Sequence, residues 1–214
     1  MPRVTIVDVS TVVVGDVFTP NLLTPDTLKK FFPRERPRGI TTNVITQMEY
    51  PQRRVVATLE ERKFQVVKEA PRRADLKLLA DLVTSFLKAN PLVRLTAVGF
   101  NFVGFVEYAP GNSHDASERR FISSYVERGH LQGLFDGKIQ SVNLQSRYRK
   151  EQTLCRLGLR SDAILSNRRG VEVKLNAHRD LGKNDRRKLR EHFATFSDWW
   201  KYFASVTNAL SKEV

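Results

Sequence analysis

In LRSDAILSNRRGVEVKLN, residues 159–176, two carboxylates and a lysine fall on what alternation predicts to be adjacent strands. Val171, Val173 and Leu175 point one way, so Glu172 and Lys174 share the other face, and Asp162 lies where the preceding strand begins. Two carboxylates and a lysine so placed could hold a divalent metal and position a water for attack on a phosphodiester.

The spacing is similar to the D…ExK signature of restriction-endonuclease-like nucleases. That resemblance implies Asp162 and Glu172 as metal ligands and Lys174 as the charge stabiliser. An acid two before a lysine is common in this chain, however: Glu61 with Lys63, Asp75 with Lys77, Asp136 with Lys138. Glu60, at the place of Asp162 in the first half, has no such pair after it. The residues therefore read as a solvent-facing charged hairpin. No catalytic residue, metal or cofactor is assigned, and a metal-dependent nuclease on Asp162, Glu172 and Lys174 is kept as the alternative.

Other chemistry is sparse. His114, His130, His178 and His192 show no metal-ligand spacing and are expected on the surface or satisfied in the core. The single cysteine, Cys155, excludes an internal disulfide and fits a reducing compartment. Neither a nucleophile elbow nor a glycine-rich phosphate loop occurs.

Charge is more informative. The chain of 214 residues carries a net +13 and a pI near 10.2. Between Lys138 and Arg190 there are fifteen Lys/Arg against five Asp/Glu. That imbalance points to a polyanion, most often nucleic acid, DNA or RNA. Arg186, Arg187, Lys188 and Arg190 crowd the expected start of the last helix, capped by Asn184. There they oppose the helix dipole by about 0.3–1 kcal/mol each, and a bound phosphate would reverse the sign. With Arg168 and Arg169 in the SNRRG turn, Arg179, Lys183 and the basic run Arg147, Arg149 and Lys150, they form the expected phosphate-binding set.

The elements that must position these residues follow from periodicity. Val4 to Phe18 alternates as a strand, Val7, Val9, Thr11 and Val13 on one face, Asp8, Ser10 and Asp16 on the other. Thr24-Pro25-Asp26 opens a short helix. Strands are predicted at 41–49, 53–60 and 63–68, then an amphipathic helix burying Leu76, Leu79, Leu82, Val83, Phe86 and Leu87. The second half repeats the order: a strand over 92–108, the turn APGN, a helix over 117–127, strands at 138–148, 152–160 and 162–175, and a helix over 184–210. In that helix Leu189, Phe193, Phe196, Trp200, Phe203 and Leu210 form the core stripe, widened by Trp199 and Val206. A shift of 98 superposes Val44, Gln47, Tyr50 and Leu59 on Val142, Gln145, Tyr148 and Leu157.

The expectation is one α+β domain over 1–214. It is an internally duplicated strand–helix–three strands–helix unit, in halves of about 1–90 and 91–214. The halves form a long curved antiparallel sheet with helices on one face. This element order is similar to the saddle of the TATA-binding protein. Gly99, Asn101 and Gly104 in the central strand then mark either a close partner or a bend. The expected function is non-catalytic nucleic-acid binding through the basic C-terminal half, as a cytoplasmic subunit of a larger bacterial assembly and without a membrane partner. A module binding an acidic protein or a sister subunit is the other alternative.

Overall fold

The computed structural model describes residues 3–109, 113–126, 141–182 and 185–212. Among these, nine strands form one antiparallel sheet: β1 (Val4–Gly15), β2 (Arg38–Thr41), β3 (Ile45–Tyr50), β4 (Val55–Glu60), β5 (Lys63–Glu69), β6 (Leu95–Glu107), β7 (Asn143–Lys150), β8 (Thr153–Leu165) and β9 (Arg168–Asp180). Their order is β2-β3-β4-β5-β1-β6-β9-β8-β7. The five α-helices are α1 (Pro25–Leu28), α2 (Asp75–Ala89), α3 (Ser113–Val126), α4 (Arg186–Ala194) and α5 (Phe196–Leu210). The fold is α+β, and no helix among the described residues is long and apolar enough to cross a membrane.

Period-2 alternation separates a helix-covered face from an open one. Val98, Phe100, Phe102 and Val106 of β6, with Tyr108 just after it, are buried under the helices. α2 packs on β5 and β1, α5 on β6 and β9, α4 on β6 and α3 on β8. The six apolar positions expected of α2 are all buried. Gly104 is explained here: a Cβ on it would come within 2.9 Å of the Phe203 ring, so the missing side chain lets α5 seat its phenylalanine on the sheet. Asn101 has the opposite outlook. On the open face it donates to Ser10 Oγ at 3.1 Å and accepts from Asn176 Nδ2, while Gln65 Nε2 also donates to Ser10 Oγ at 3.1 Å. The central strand's amide belongs to a polar row across four strands.

Several boundaries differ from the sequence reading. The strand expected at 41–49 is two, β2 and β3, because the Thr42 hydroxyl accepts from the amides of Val44 and Ile45 and turns the chain. In β1 a bulge between Ile6 and Asp8 puts Val4 and Ile6, not Val7, in phase with the core. β8 runs through Asp162 to Leu165, so Asp162 sits in a bulge between Arg160 and Ala163 rather than at a strand start. The turn is Ser166-Asn167, both at positive φ (49° and 64°), which suits a two-residue hairpin. Arg168 and Arg169 therefore open β9 and are not turn residues. The last helix is two, parted at Thr195 (φ −84°, ψ −2°), whose hydroxyl donates to the His192 carbonyl at 2.7 Å. Its cap is Asp185, which accepts from the amides of Arg187 and Lys188. Asn184 and Lys183 lie outside the described residues, as do most of the APGN turn and residues 138–140.

A single shift of 98 does not carry the pairing of both outer hairpins. Leu59 pairs with Thr46, whereas Leu157 pairs with Ser146. The turns differ: four residues separate Tyr50 from Val55, two separate Lys150 from Thr153.

Candidate functional site

On the open face of β7–β9 the side chains are polar and mostly basic. Arg147 and Arg149 alternate along β7, and the register places Arg156 of β8 directly opposite Arg147. All three are exposed and none takes part in an ion pair among the described residues. Directly opposed side chains in an antiparallel pair have Cβ atoms about 4.5–5.5 Å apart, and like charges there are destabilising. A guanidinium cannot relieve that repulsion by losing its proton, so a bound anion would be favoured there.

The other predicted cations are distributed differently. Arg168 donates to Glu107 at 2.8 Å and Arg169 to Glu118. They begin β9, while Arg179 ends it. Arg179 lies ten residues along the strand from Arg169, about 33 Å at the ordinary rise per residue. The turn-side and helix-side arginines therefore do not form one surface. Arg186 is structural: its guanidinium donates to the carbonyls of Leu87, Pro91 and Val93 at 3.4, 2.9 and 3.4 Å, tying α4 to the exposed end of α2. Arg187 pairs with Glu191 at 3.7 Å. Arg190 is exposed, and the side chain of Lys188 borders a hollow with Arg149 and Arg179. Lys150 turns to the helix side, its Nζ 4.0 Å from the Tyr202 ring centroid and 5.5 Å from that of Trp199.

A cleft opens where the β7–β8 turn, the end of β9 and the α4–α5 junction meet. It encloses about 420 Å³ between Lys150, Gln152, Arg179, His192, Thr195 and Trp199, with Glu151, Thr153 and Asp198 completing the lining. A shallower hollow of about 200 Å³, bordered by Arg149, His178 and Lys188, shares Gln152 and Arg179 with it. Glu151 at the turn has a positive φ of 54°, which leaves Gln152 to accept from Arg179 at 2.8 Å.

His192 lies in the core, one of the two places expected for it, but it is not satisfied there. It is 1% exposed, its ring lies parallel to Phe100 with centroids 4.3 Å apart, and its Nε2 is buried without a partner. Burial, followed by the charge on Arg179 and by His178, lowers its pKa to about 4, so the imidazole is neutral at pH 7. The signal was present. His192 falls three after Leu189 and four before Phe196, on the buried line, while Phe193 lies at its edge. His178 is on the open face, within 3.2 Å of Asp180.

The hairpin that drew attention first is self-paired. Arg160 Nε lies 3.5 Å from Asp162 and 3.7 Å from Glu172, and Lys174 is 2.9 Å from Glu172. A guanidinium thus occupies the space between the two carboxylates, where a shared metal would have to sit. Among the described residues no group of three or more His, Cys, Asp or Glu side chains is placed to hold a metal ion.

No family model and no curated protein sequence matches the chain. The functional reading rests on its own geometry.

Proposed function

We propose that this chain binds nucleic acid without cleaving it, as a subunit of a larger assembly. In this reading the open face of β7–β9 contacts phosphates through Arg147, Arg149 and Arg156, and Arg179, Lys188 and Arg190 extend the basic surface at the strand ends. The observation that carries it is the exposed Arg147–Arg156 pair, two like charges in register on adjacent strands with no acidic partner among the described residues, which a bound anion would stabilise. Among the described residues that half of the open face has no exposed aromatic platform. Binding is therefore through phosphates and shape rather than base stacking. Lys183 remains in the proposed set, and Arg168, Arg169 and Arg186 leave it.

The strand order supports a finer reading of the fold. On either side of the β1–β6 pair the order runs β5-β4-β3 one way and β9-β8-β7 the other. That is the arrangement a duplicated unit with a central pseudo-twofold would give, similar to the saddle of the TATA-binding protein. A role as a subunit has separate support in the apolar side chains beside the edge strand β2, where Ile40 is 67% and Val44 70% exposed.

The test is a salt titration of binding to duplex and single-stranded oligonucleotides. For n phosphates contacted, the log–log slope is about −0.9n for duplex DNA and about −0.7n for single strands. Absence of binding to both DNA and RNA at about 50 mM salt and micromolar protein rejects the proposal. Mn²⁺-dependent cleavage lost in Glu172→Gln would replace it with the nuclease reading.

A further inference from the structure

We propose that the cleft between the β7–β8 turn and the α4–α5 junction binds a phosphate monoester of mononucleotide size, with Arg179 and Lys150 on the phosphate and Trp199 as the wall for its planar group. The volume of about 420 Å³ lies within the range of pockets that take small ligands. Its two cations come from different elements and are both held in place. Arg179, its side chain 16% exposed, is anchored by Gln152 Oε1 at 2.8 Å and by Glu191 at 3.5 Å, which leaves other guanidinium donors for a ligand oxygen. Lys150 is held over Tyr202 and Trp199. Of the acids in the lining, Asp198 already pairs with Lys201 at 3.2 Å, and Glu151 stands at the exposed turn.

The second observation is His192. A buried polar atom without a partner costs roughly 1–3 kcal/mol, and packing alone gives no reason to keep it, since phenylalanine would fill the same stack on Phe100. The imidazole ring borders the cleft and is neutral, so it adds a hydrogen-bonding group without adding charge. Nε2 itself has no accessible surface, so a ligand becomes its partner only by shifting the ring or its cover and opening that atom to the cleft. The smaller hollow with Arg149 and Lys188 shares Gln152 and Arg179 with the cleft and is also lined by His178 of the open face. Two sources therefore carry the right chemistry: a free nucleotide, or the phosphorylated end of a strand lying on that face. The site itself does not depend on the arginine row and fails or stands separately from it.

The experiment is calorimetric titration of the whole chain with adenosine 5′-monophosphate, adenosine and inorganic phosphate. Binding to a single-stranded oligonucleotide with and without a 5′-phosphate is measured in parallel. The nucleotide is expected to bind at least tenfold more tightly than adenosine, and Arg179→Gln and His192→Phe each to weaken it at least tenfold. His192→Phe is expected to melt at the same or a higher temperature, so its loss of binding is not a loss of folding. Lys150→Met serves as a second phosphate variant if Arg179→Gln unfolds. A preference for the 5′-phosphorylated strand assigns the site to strand ends; nucleotide binding with no such preference assigns it to a free nucleotide. The proposal is overturned if nucleotide and adenosine bind alike or not at all, or if His192→Phe binds the nucleotide as the parent does.

Discussion

Two cross-strand pairs of like charge lie on the open face, one in each half. Asp8 of β1 is opposite Glu69 of β5, and Arg147 of β7 is opposite Arg156 of β8. The acidic pair has ways to relieve itself. Burial, Glu69 and Glu172 raise the Asp8 pKa while Lys174 lowers it, so Asp8 has a nearby cation and takes up a proton more readily than an ordinary carboxyl. The arginine pair has neither, because a guanidinium stays charged at any pH a protein survives. The same local fault thus has a cation and a titratable group beside it in one half, and neither among the described residues in the other. The contrast extends to other arginines of the second half: Arg168, Arg169, Arg179, Arg186 and Arg187 all have acidic or carbonyl partners. Counting basic residues treats these two populations alike, and packing separates them.

The sharpest way to break this comparison is to neutralise the unpaired set. Arg147→Gln, Arg149→Gln and Arg156→Gln together are expected to weaken nucleic-acid binding at least a hundredfold, about 3 kcal/mol. The salt slope for duplex DNA should fall by about 2.7 if each arginine meets one phosphate. The melting temperature should stay level or rise, since a repulsive pair is removed. Undiminished affinity with lower stability would show that the arginines serve the sheet.

The next effect concerns acid. His192 is neutral in the fold with a pKa of about 4, against an ordinary value of 6.5. The unfolded chain therefore binds a proton that the fold refuses between those values. The resulting stability is fully present above pH 6.5 and is lost as the pH falls toward 4, by an upper bound of about 3 kcal/mol. Denaturant midpoints measured from pH 7 to pH 4 should show this decline in the parent and a shallower one in His192→Phe. Equal slopes would mean that another group carries the acid sensitivity.

Arg186→Gln separates the two arginine populations from the other side. Loss of charge-assisted contacts to three carbonyls should cost about 2 kcal/mol of stability, with affinity for nucleic acid within about twofold of the parent. A variant that folds normally and binds poorly would move Arg186 back into the binding set.

How far the sequence discloses this arrangement depends on whether a residue's environment is local. α2 is legible because its stripe and its burial are set by one period, and the faces of β6 follow from alternation in the same way. The span of β8 is not legible, because the Ser161-Asp162 bulge breaks the alternation in a strand of 13 residues and makes it read as two. The Thr195 break is hidden because the apolar stripe continues across it. Among the site residues, Arg147 and Arg149 were visible as a basic run. Arg156 was not, since only the register brings it opposite Arg147. Arg186 misled because its carbonyl partners, Leu87, Pro91 and Val93, are more than ninety residues away. His192 needed nothing distant: it sits on the helical line that buries its neighbours, and a histidine on that line is a core residue first.

The smallest effect tests the acidic pair. Asp8 has a folded pKa raised above its ordinary 3.8, with burial the largest cause. A group whose pKa is raised on folding favours the fold while it is protonated in both states and loses that advantage as the pH rises through its folded value. At neutral pH the charged Asp8 therefore stands against Glu69 at a net cost, softened by Lys174. Like charges directly opposite across strands cost about 0.2–1 kcal/mol, so Asp8→Asn should stabilise the protein at pH 7 by a few tenths of a kcal/mol, and the gain should vanish below about pH 4. Chemical denaturation of parent and variant at the two pH values measures this directly. If Asp8→Asn is instead destabilising at pH 7, the attraction of Lys174 outweighs both burial and Glu69. The acidic pair would then be a structural ion cluster, and the contrast with the unpaired arginines would be wider still.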